Sequence, residues 1–145
     1  MNSSPWREYS EQFAKLLFER HPEWKPFSRF ENSGALVVEM ASPNPNARSE
    51  LRIDTERKEV TVGFDMFHTH FFLEDDEQRN FEQAIDFVER FLNEEHVVLI
   101  YMRGDKWTGS MCCSLEDPWP IPECGQRRYV RSWRGTYDAE MVNQE

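Results

Sequence analysis

No apolar run in this chain is long enough to cross a bilayer. The longest, Val97 to Met102, falls far short of the ~20 residues a spanning helix needs. The stretch Met1 to Phe18 has no continuous apolar segment either, because Arg7, Glu8, Glu11 and Lys15 interrupt it. It carries no export signal, so the expected location is the cytoplasm, with no membrane partner. There are three cysteines and no Cys-x-x-Cys; Cys112 and Cys113 are adjacent and Cys124 stands alone after a proline-rich stretch. That arithmetic excludes a disulfide framework and predicts reduced, mostly buried thiols. Six scattered glycines make no phosphate-cradling loop before a helix, and no Gly-x-Ser-x-Gly elbow is present. Basic residues are also in deficit: 17 Lys and Arg stand against 27 Asp and Glu, a formal net charge of −10. Such a polyanion repels nucleic acid and releases no counterions on meeting it, so no direct nucleic-acid partner is expected.

What is present is aromatic and acidic. Eleven Phe, five Trp and four Tyr in 145 residues are enough for a real core, and the length suits one domain spanning 1–145. A first helix is expected to open at Ser3 or Ser4 with Pro5 in its first turn, carrying Trp6, Tyr9, Phe13, Leu16 and Leu17 as one stripe. Pro22 ends it, and His21 to Asn32 reads as an extended connection anchored by Trp24, Phe27 and Phe30. Ala35 to Met40 is a strand, followed by the loop signal Ser-Pro-Asn-Pro-Asn. Leu51 and Ile53, then Val60, Val62 and Phe64, alternate with polar residues across a charged turn and predict a hairpin. Phe67 to Phe72 follows as a further strand after a bend at Asp65 and Met66.

A second helix is the clearest feature. Glu74, Asp75, Asp76 and Glu77 place negative charge where a helix N-terminus favours it, and Phe81, Ala84, Ile85, Val88, Phe91 and Leu92 recur at helical spacing. Val97 to Met102, apolar on both faces, predicts a central strand. Arg103 to Lys106 is a turn. Trp107, Gly109, Met111 and Cys113 should share the face opposite Thr108, Ser110 and Cys112. Pro118, Pro120 and Pro122 hold a loop around Trp119. Tyr129 to Tyr137 reads as a last strand, with 139–145 a frayed tail. The expected fold is therefore α+β, with a mostly antiparallel sheet of about six to seven strands packed against two principal helices.

Chemistry is sparse in this pattern. His68 and His70 lie two apart, so on a strand both imidazoles point to one face, and Asp65 could add a carboxylate. That leaves open a small metal-dependent enzyme built on His68, His70 and Asp65; the other reading is a pair of surface histidines. The cysteines read as packing residues, since Cys112 and Cys113 lie in a strand and Cys124 follows Glu123. Arg127, Arg128, Arg131 and Arg134 alternate with Tyr129, Trp133 and Tyr137. In so acidic a chain they should pair internally with carboxylates. The run Glu74 to Glu77 serves as a helix-start feature or as a patch for a cationic partner.

Several segments resemble a group of small bacterial immunity proteins, the partners of polymorphic or contact-dependent toxins. They are Glu59-Val60-Thr61-Val62-Gly63-Phe64-Asp65, Phe67-His68-Thr69-His70-Phe71, the helix around Ala84 to Leu92, Trp107-Thr108-Gly109-Ser110, and Arg131-Ser132-Trp133-Arg134-Gly135-Thr136-Tyr137. The resemblance extends over about residues 34–138. The resemblance implies a cytoplasmic, non-catalytic protein that binds and neutralises a cognate toxin and needs no cofactor. Such a toxin would be basic if it acts on nucleic acid, and an acidic surface would then steer association. The expected contact residues are Glu74, Asp75, Asp76 and Glu77, with Phe72 or Trp119 as an aromatic anchor.

Overall fold

Helix α1, Pro5–Arg20, opens the chain in a computed structural model that describes residues 5–73 and 75–144. The expected helix start at Ser3 or Ser4 lies outside the described residues. A 3-10 helix, Pro22–Phe27, follows, and then the strands β1 (Ser28–Phe30), β2 (Leu36–Met40), β3 (Leu51–Asp54), β4 (Val60–Phe64) and β5 (Phe67–Phe71). Helix α2, Glu77–Leu92, leads into β6 (His96–Arg103), β7 (Lys106–Ser114), β8 (Arg127–Arg131) and β9 (Ala139–Val142). The architecture is α+β, with the strands in two antiparallel sheets rather than one. Among the described residues no helix is long and apolar enough to cross a membrane.

The chain divides into two compact units. One comprises the residues up to Ala41 with Glu50–Gly63 and His68–Val88; the other comprises Ser42–Ser49, Phe64–Phe67 and the residues from Glu89 onward. The first sheet is a meander in chain order, β1 to β5. Short connections make each strand pair with its predecessor, and the register sets Val38 against Ile53 and Ile53 against Val62. These three apolar residues therefore share one face, and all are buried. Between the same strands, Glu39 accepts from Arg29 at 3.0 Å and from Arg52 at 2.9 Å. Its carboxyl is held below the usual range by the Arg29 bond, with burial opposing and the Arg29 and Arg52 charges adding to it.

Helix α1 buries Tyr9, Phe13, Ala14 and Leu17, so the apolar stripe is real. Trp6 departs from it and is exposed, whereas Ser10 is fully buried. The segment after Pro22 winds into a 3-10 turn instead of extending, and His21 stacks on Trp24 with ring centroids 3.8 Å apart. Trp24 is buried, but Phe27 and Phe30 are exposed; the Arg7 guanidinium lies 3.6 Å over the Phe30 ring.

In the second sheet the order is β7-β6-β8-β9. Strand β6 sits between two neighbours, and every residue from Val97 to Met102 is buried, as an apolar run with no alternation predicts. Val97, Leu99, Tyr101 and Val130 form one cluster, against which Cys113, Leu115 and Trp119 pack. The β6–β7 register shifts between Tyr101 and Met102, which pair with Gly109 and Trp107 respectively. Thr108 is the extra residue, and its hydroxyl donates to the Tyr101 carbonyl at 3.0 Å. The bulge turns Trp107 onto the face of Met102, away from Gly109 and Met111. Its indole N–H accordingly donates to Ser110 Oγ at 2.8 Å.

The chain end also differs from expectation. Strand β8 stops at Arg131, and the tail returns as β9, pairing Val130 with Ala139 through Arg127 with Val142. The pairing runs further, because Gly125 N–H donates to the Asn143 carbonyl at 2.7 Å and Asn143 N–H to Gln126 at 3.2 Å. All four β9 side chains are exposed, so no side-chain alternation announces the strand; its backbone bonds hold it.

Candidate functional site

The acidic helix start resolves into separate roles. Glu74 lies outside the described residues. Asp76 precedes α2, and its Oδ1 accepts from the Arg79 backbone N–H at 3.0 Å, capping the helix. Asp75 and Glu77 are exposed. Among the described residues Asp75, Asp76 and Glu77 form no ion pair. Phe72 and Leu73, just before them, are exposed as well, Phe72 to 55%. Trp119, the other expected anchor, is half-buried against the β6 cluster, and its indole N–H donates to the Ser114 carbonyl at 3.1 Å. The Arg128 guanidinium stands 5.6 Å from its ring.

Three adjoining cavities share Glu77. One of them, about 390 Å³, has Tyr9 and Asn80 as its buried lining and Phe72, Leu73, Arg57, Lys58 and Glu77 as its exposed lining. Local packing fixes each part. Phe81 meets Tyr9 edge-on at 5.1 Å and Phe13 at 5.2 Å, which sets α2 against α1. Asn80 Nδ2 donates to the Tyr9 hydroxyl at 3.2 Å. The turn carrying Arg57 and Lys58 is tied down just before it: Leu36 N–H donates to Thr55 Oγ1 at 2.8 Å, and Thr55 meets Ser10 Oγ at 2.6 Å. Ser10 in turn donates to the Trp6 carbonyl at 2.6 Å. Arg57 and Lys58 both sit in the left-handed region, at φ 60° and 58°, a conformation that costs roughly 1–2 kcal/mol for each non-glycine residue. The Tyr9 hydroxyl is pushed well above its ordinary range, first by burial and then by the Glu77 charge, with Glu59 adding to it and the Asn80 bond opposing.

His68 and His70 do share a face of β5, with ring centroids 5.1 Å apart, and both are exposed. His70 Nδ1 faces Glu59 Oε1 at 3.0 Å and Thr61 Oγ1 at 2.9 Å, so its ring is oriented by the neighbouring strand. Asp65 is engaged elsewhere: its Oδ2 accepts from Arg48 N–H at 3.1 Å, and it closes the β4–β5 turn at φ 55°. Among the described residues no three His, Cys, Asp or Glu side chains come together as a metal site.

The arginines of the C-terminal strands pair internally. Arg127 meets Glu140 at 2.9 Å, Arg131 meets Asp138 at 3.9 Å and Arg134 meets Glu94 at 3.1 Å. Arg128 is buried and donates to the Pro120 carbonyl at 3.0 Å. The thiols are free. Cys112 is half-buried and pushed up to about 12, by burial first and by Cys113 second; burial likewise raises Cys113. Cys124, expected to be buried, is exposed. Iodoacetamide at pH about 8 should therefore modify Cys124 in the native protein and reach Cys112 only after unfolding. Peptide mapping that found Cys112 modified first would overturn that order.

Sequence reasoning missed the Tyr9–Asn80 pair, although a signal existed. Asn80 lies four residues before Ala84 and eight before Val88, so a polar amide occupies the apolar stripe of α2. Comparison with known proteins adds no name to this geometry: no family model matches the chain, and neither a curated protein nor a solved structure matches it significantly.

Proposed function

We propose that this chain is a non-catalytic protein-binding domain: a cytoplasmic immunity protein that neutralises a cognate, basic bacterial toxin. The observation that carries the reading is the set of exposed, unpaired carboxylates of Asp75 and Glu77 beside exposed Phe72 and Leu73. Unneutralised charge steers a cationic partner, and an adjacent apolar anchor gives the complex its lifetime. Many of the chain's arginines are engaged by internal carboxylates, whereas Asp75 and Glu77 are not, with Arg57 and Lys58 the cations that stand at the same cavity as Glu77.

Co-expression with the product of the neighbouring reading frame tests the proposal. The two proteins should co-purify, and the chain should relieve growth inhibition by that product. A toxic basic neighbour that neither binds nor is silenced would sink the reading. Asp75→Lys combined with Glu77→Lys should slow association about tenfold at low salt, an effect that fades as salt rises. Asp76 is spared because its loss would uncap α2. An unchanged on-rate by stopped flow would remove this patch from the interface.

A further inference from the structure

The Tyr9–Asn80 cavity holds a buried polar atom that the fold leaves unused. Asn80 is only 2% exposed, and its Oδ1 has no hydrogen-bond partner. A buried amide oxygen left in that state is destabilising, so its persistence marks a place where a donor from outside would be welcome. Glu77 supplies a carboxylate at the same cavity, while Arg57 and Lys58 supply cations from a turn held in the left-handed region. Phe72 and Leu73 add two exposed apolar side chains. Strained backbone is retained where the surrounding structure enforces it, and here the Thr55–Ser10 bonds lie directly before the strained pair.

We propose that this cavity binds a free apolar α-amino acid in its zwitterionic form. The ligand ammonium meets Glu77 and the unpaired Asn80 Oδ1, its carboxylate meets Arg57 and Lys58, and its side chain lies against Phe72 and Leu73. Each lining group then has a partner of matching chemistry, and the cavity of about 390 Å³ accommodates one large side chain with its backbone atoms. A simple anion would leave Glu77 and Asn80 Oδ1 unsatisfied, and a simple cation would face Arg57 and Lys58. At the Tyr9 hydroxyl the Glu77 charge acts second only to burial, in keeping with the ammonium lying at that end. Glu77, Phe72 and Leu73 also serve the toxin reading, but the two are tested apart, because this inference concerns the isolated protein and a free small molecule.

Titration of the full chain with L-leucine and L-phenylalanine, followed by ¹H–¹⁵N correlation spectra, tests it. Saturable shifts should appear at the Arg57, Lys58 and Asn80 amides and at the Asn80 side-chain NH₂. N-acetyl-leucine, lacking the cation, and leucinamide, lacking the carboxylate, should each bind at least about tenfold more weakly, the loss of one charged contact. Glycine should bind more weakly than leucine. Asn80→Leu and Glu77→Gln should reduce leucine affinity. Phe72→Ala alters only an exposed residue and so keeps the test valid if Asn80→Leu misfolds; it should weaken leucine and phenylalanine but leave glycine unchanged. Absence of saturable shifts, or equal binding of leucine and its two capped analogues, overturns the assignment.

Discussion

Glu94→Ala is expected to lower the unfolding free energy by about 3 kcal/mol, read from chemical denaturation. Glu94 follows the last turn of α2, is 4% exposed and gathers four donors. Oε2 accepts from the Arg134 and Thr136 backbone N–H groups at 3.2 and 3.4 Å; Oε1 accepts from the Thr136 hydroxyl at 2.6 Å and pairs with the Arg134 guanidinium at 3.1 Å. Alanine removes the shared acceptor of all four at once. Glycine loses the same carboxylate but relieves the left-handed backbone at φ 57°. Glu94→Gly should therefore be about 1 kcal/mol less damaging than Glu94→Ala.

The same carboxyl gives the effect a pH signature. Burial pushes its pKa up, but bonds from Thr136 and the Arg134 backbone, with the nearby Ser132 hydroxyl and the Arg134 charge, outweigh burial and leave it below the usual range. A carboxyl whose folded value lies below its unfolded value stabilises fully above the unfolded value, and that contribution is lost as pH falls through the folded value. The gap between wild type and Glu94→Ala should accordingly narrow below about pH 4. Equal denaturation midpoints for the two proteins at neutral pH would show that the loop does not rely on Glu94.

Thr55→Val is expected to cost about 2 kcal/mol, whereas Thr55→Ser stays close to wild type. The hydroxyl sits in a directed chain. Since Ser10 gives its proton to Trp6, Thr55 must donate to Ser10, and Thr55 in turn accepts from Leu36 N–H. Both Ser10 and Thr55 are fully buried, so valine leaves the Leu36 amide without a partner and out of reach of water. Ser10→Ala breaks the same chain one step along. The double variant should therefore be less destabilised than the sum of the singles. Strict additivity in thermal unfolding would mean that the three groups act separately.

Much of the fold could be read from local pattern. The β6 run and the α2 stripe behave as written, because burial of Val97–Met102 and of Phe81, Ala84, Ile85, Val88 and Phe91 follows from periods that a few neighbouring residues display. What escaped depends on distant partners. Division into two sheets is decided by which strands pair, and nothing within β5 or β6 encodes that choice. One inserted residue, Thr108, reversed the face of Trp107. Strand β9 has no apolar face and is recognisable only from its partner β8. For the candidate site, exposure of Phe72, Asp75 and Glu77 was foreseen, but Asn80 meets Tyr9 across 71 positions of sequence.

The motif Arg131 to Tyr137, one of the segments behind the family resemblance, serves as architecture. Asn44 donates to the Ser132 carbonyl at 2.8 Å and to Asp138 at 2.9 Å, Ser42 donates to the Trp133 carbonyl at 2.7 Å, and Trp133 lies against Phe64 and Phe91. Gly135, at φ +86°, has no room for a side chain without pressing on Asn44. These residues specify a shape and say nothing of what that shape meets.

The Thr108 bulge reaches beyond the orientation of one tryptophan. Strand β7 is the longest strand of its sheet and lies at its margin, the kind of border along which foreign polypeptides can be recruited into growing fibrils. An inserted residue interrupts the ladder of that border and increases its coil, so a flat incoming segment cannot stay in step along its length. Deleting Thr108 would straighten the template, and concentrated solutions of the variant would be the place to look for fibre growth.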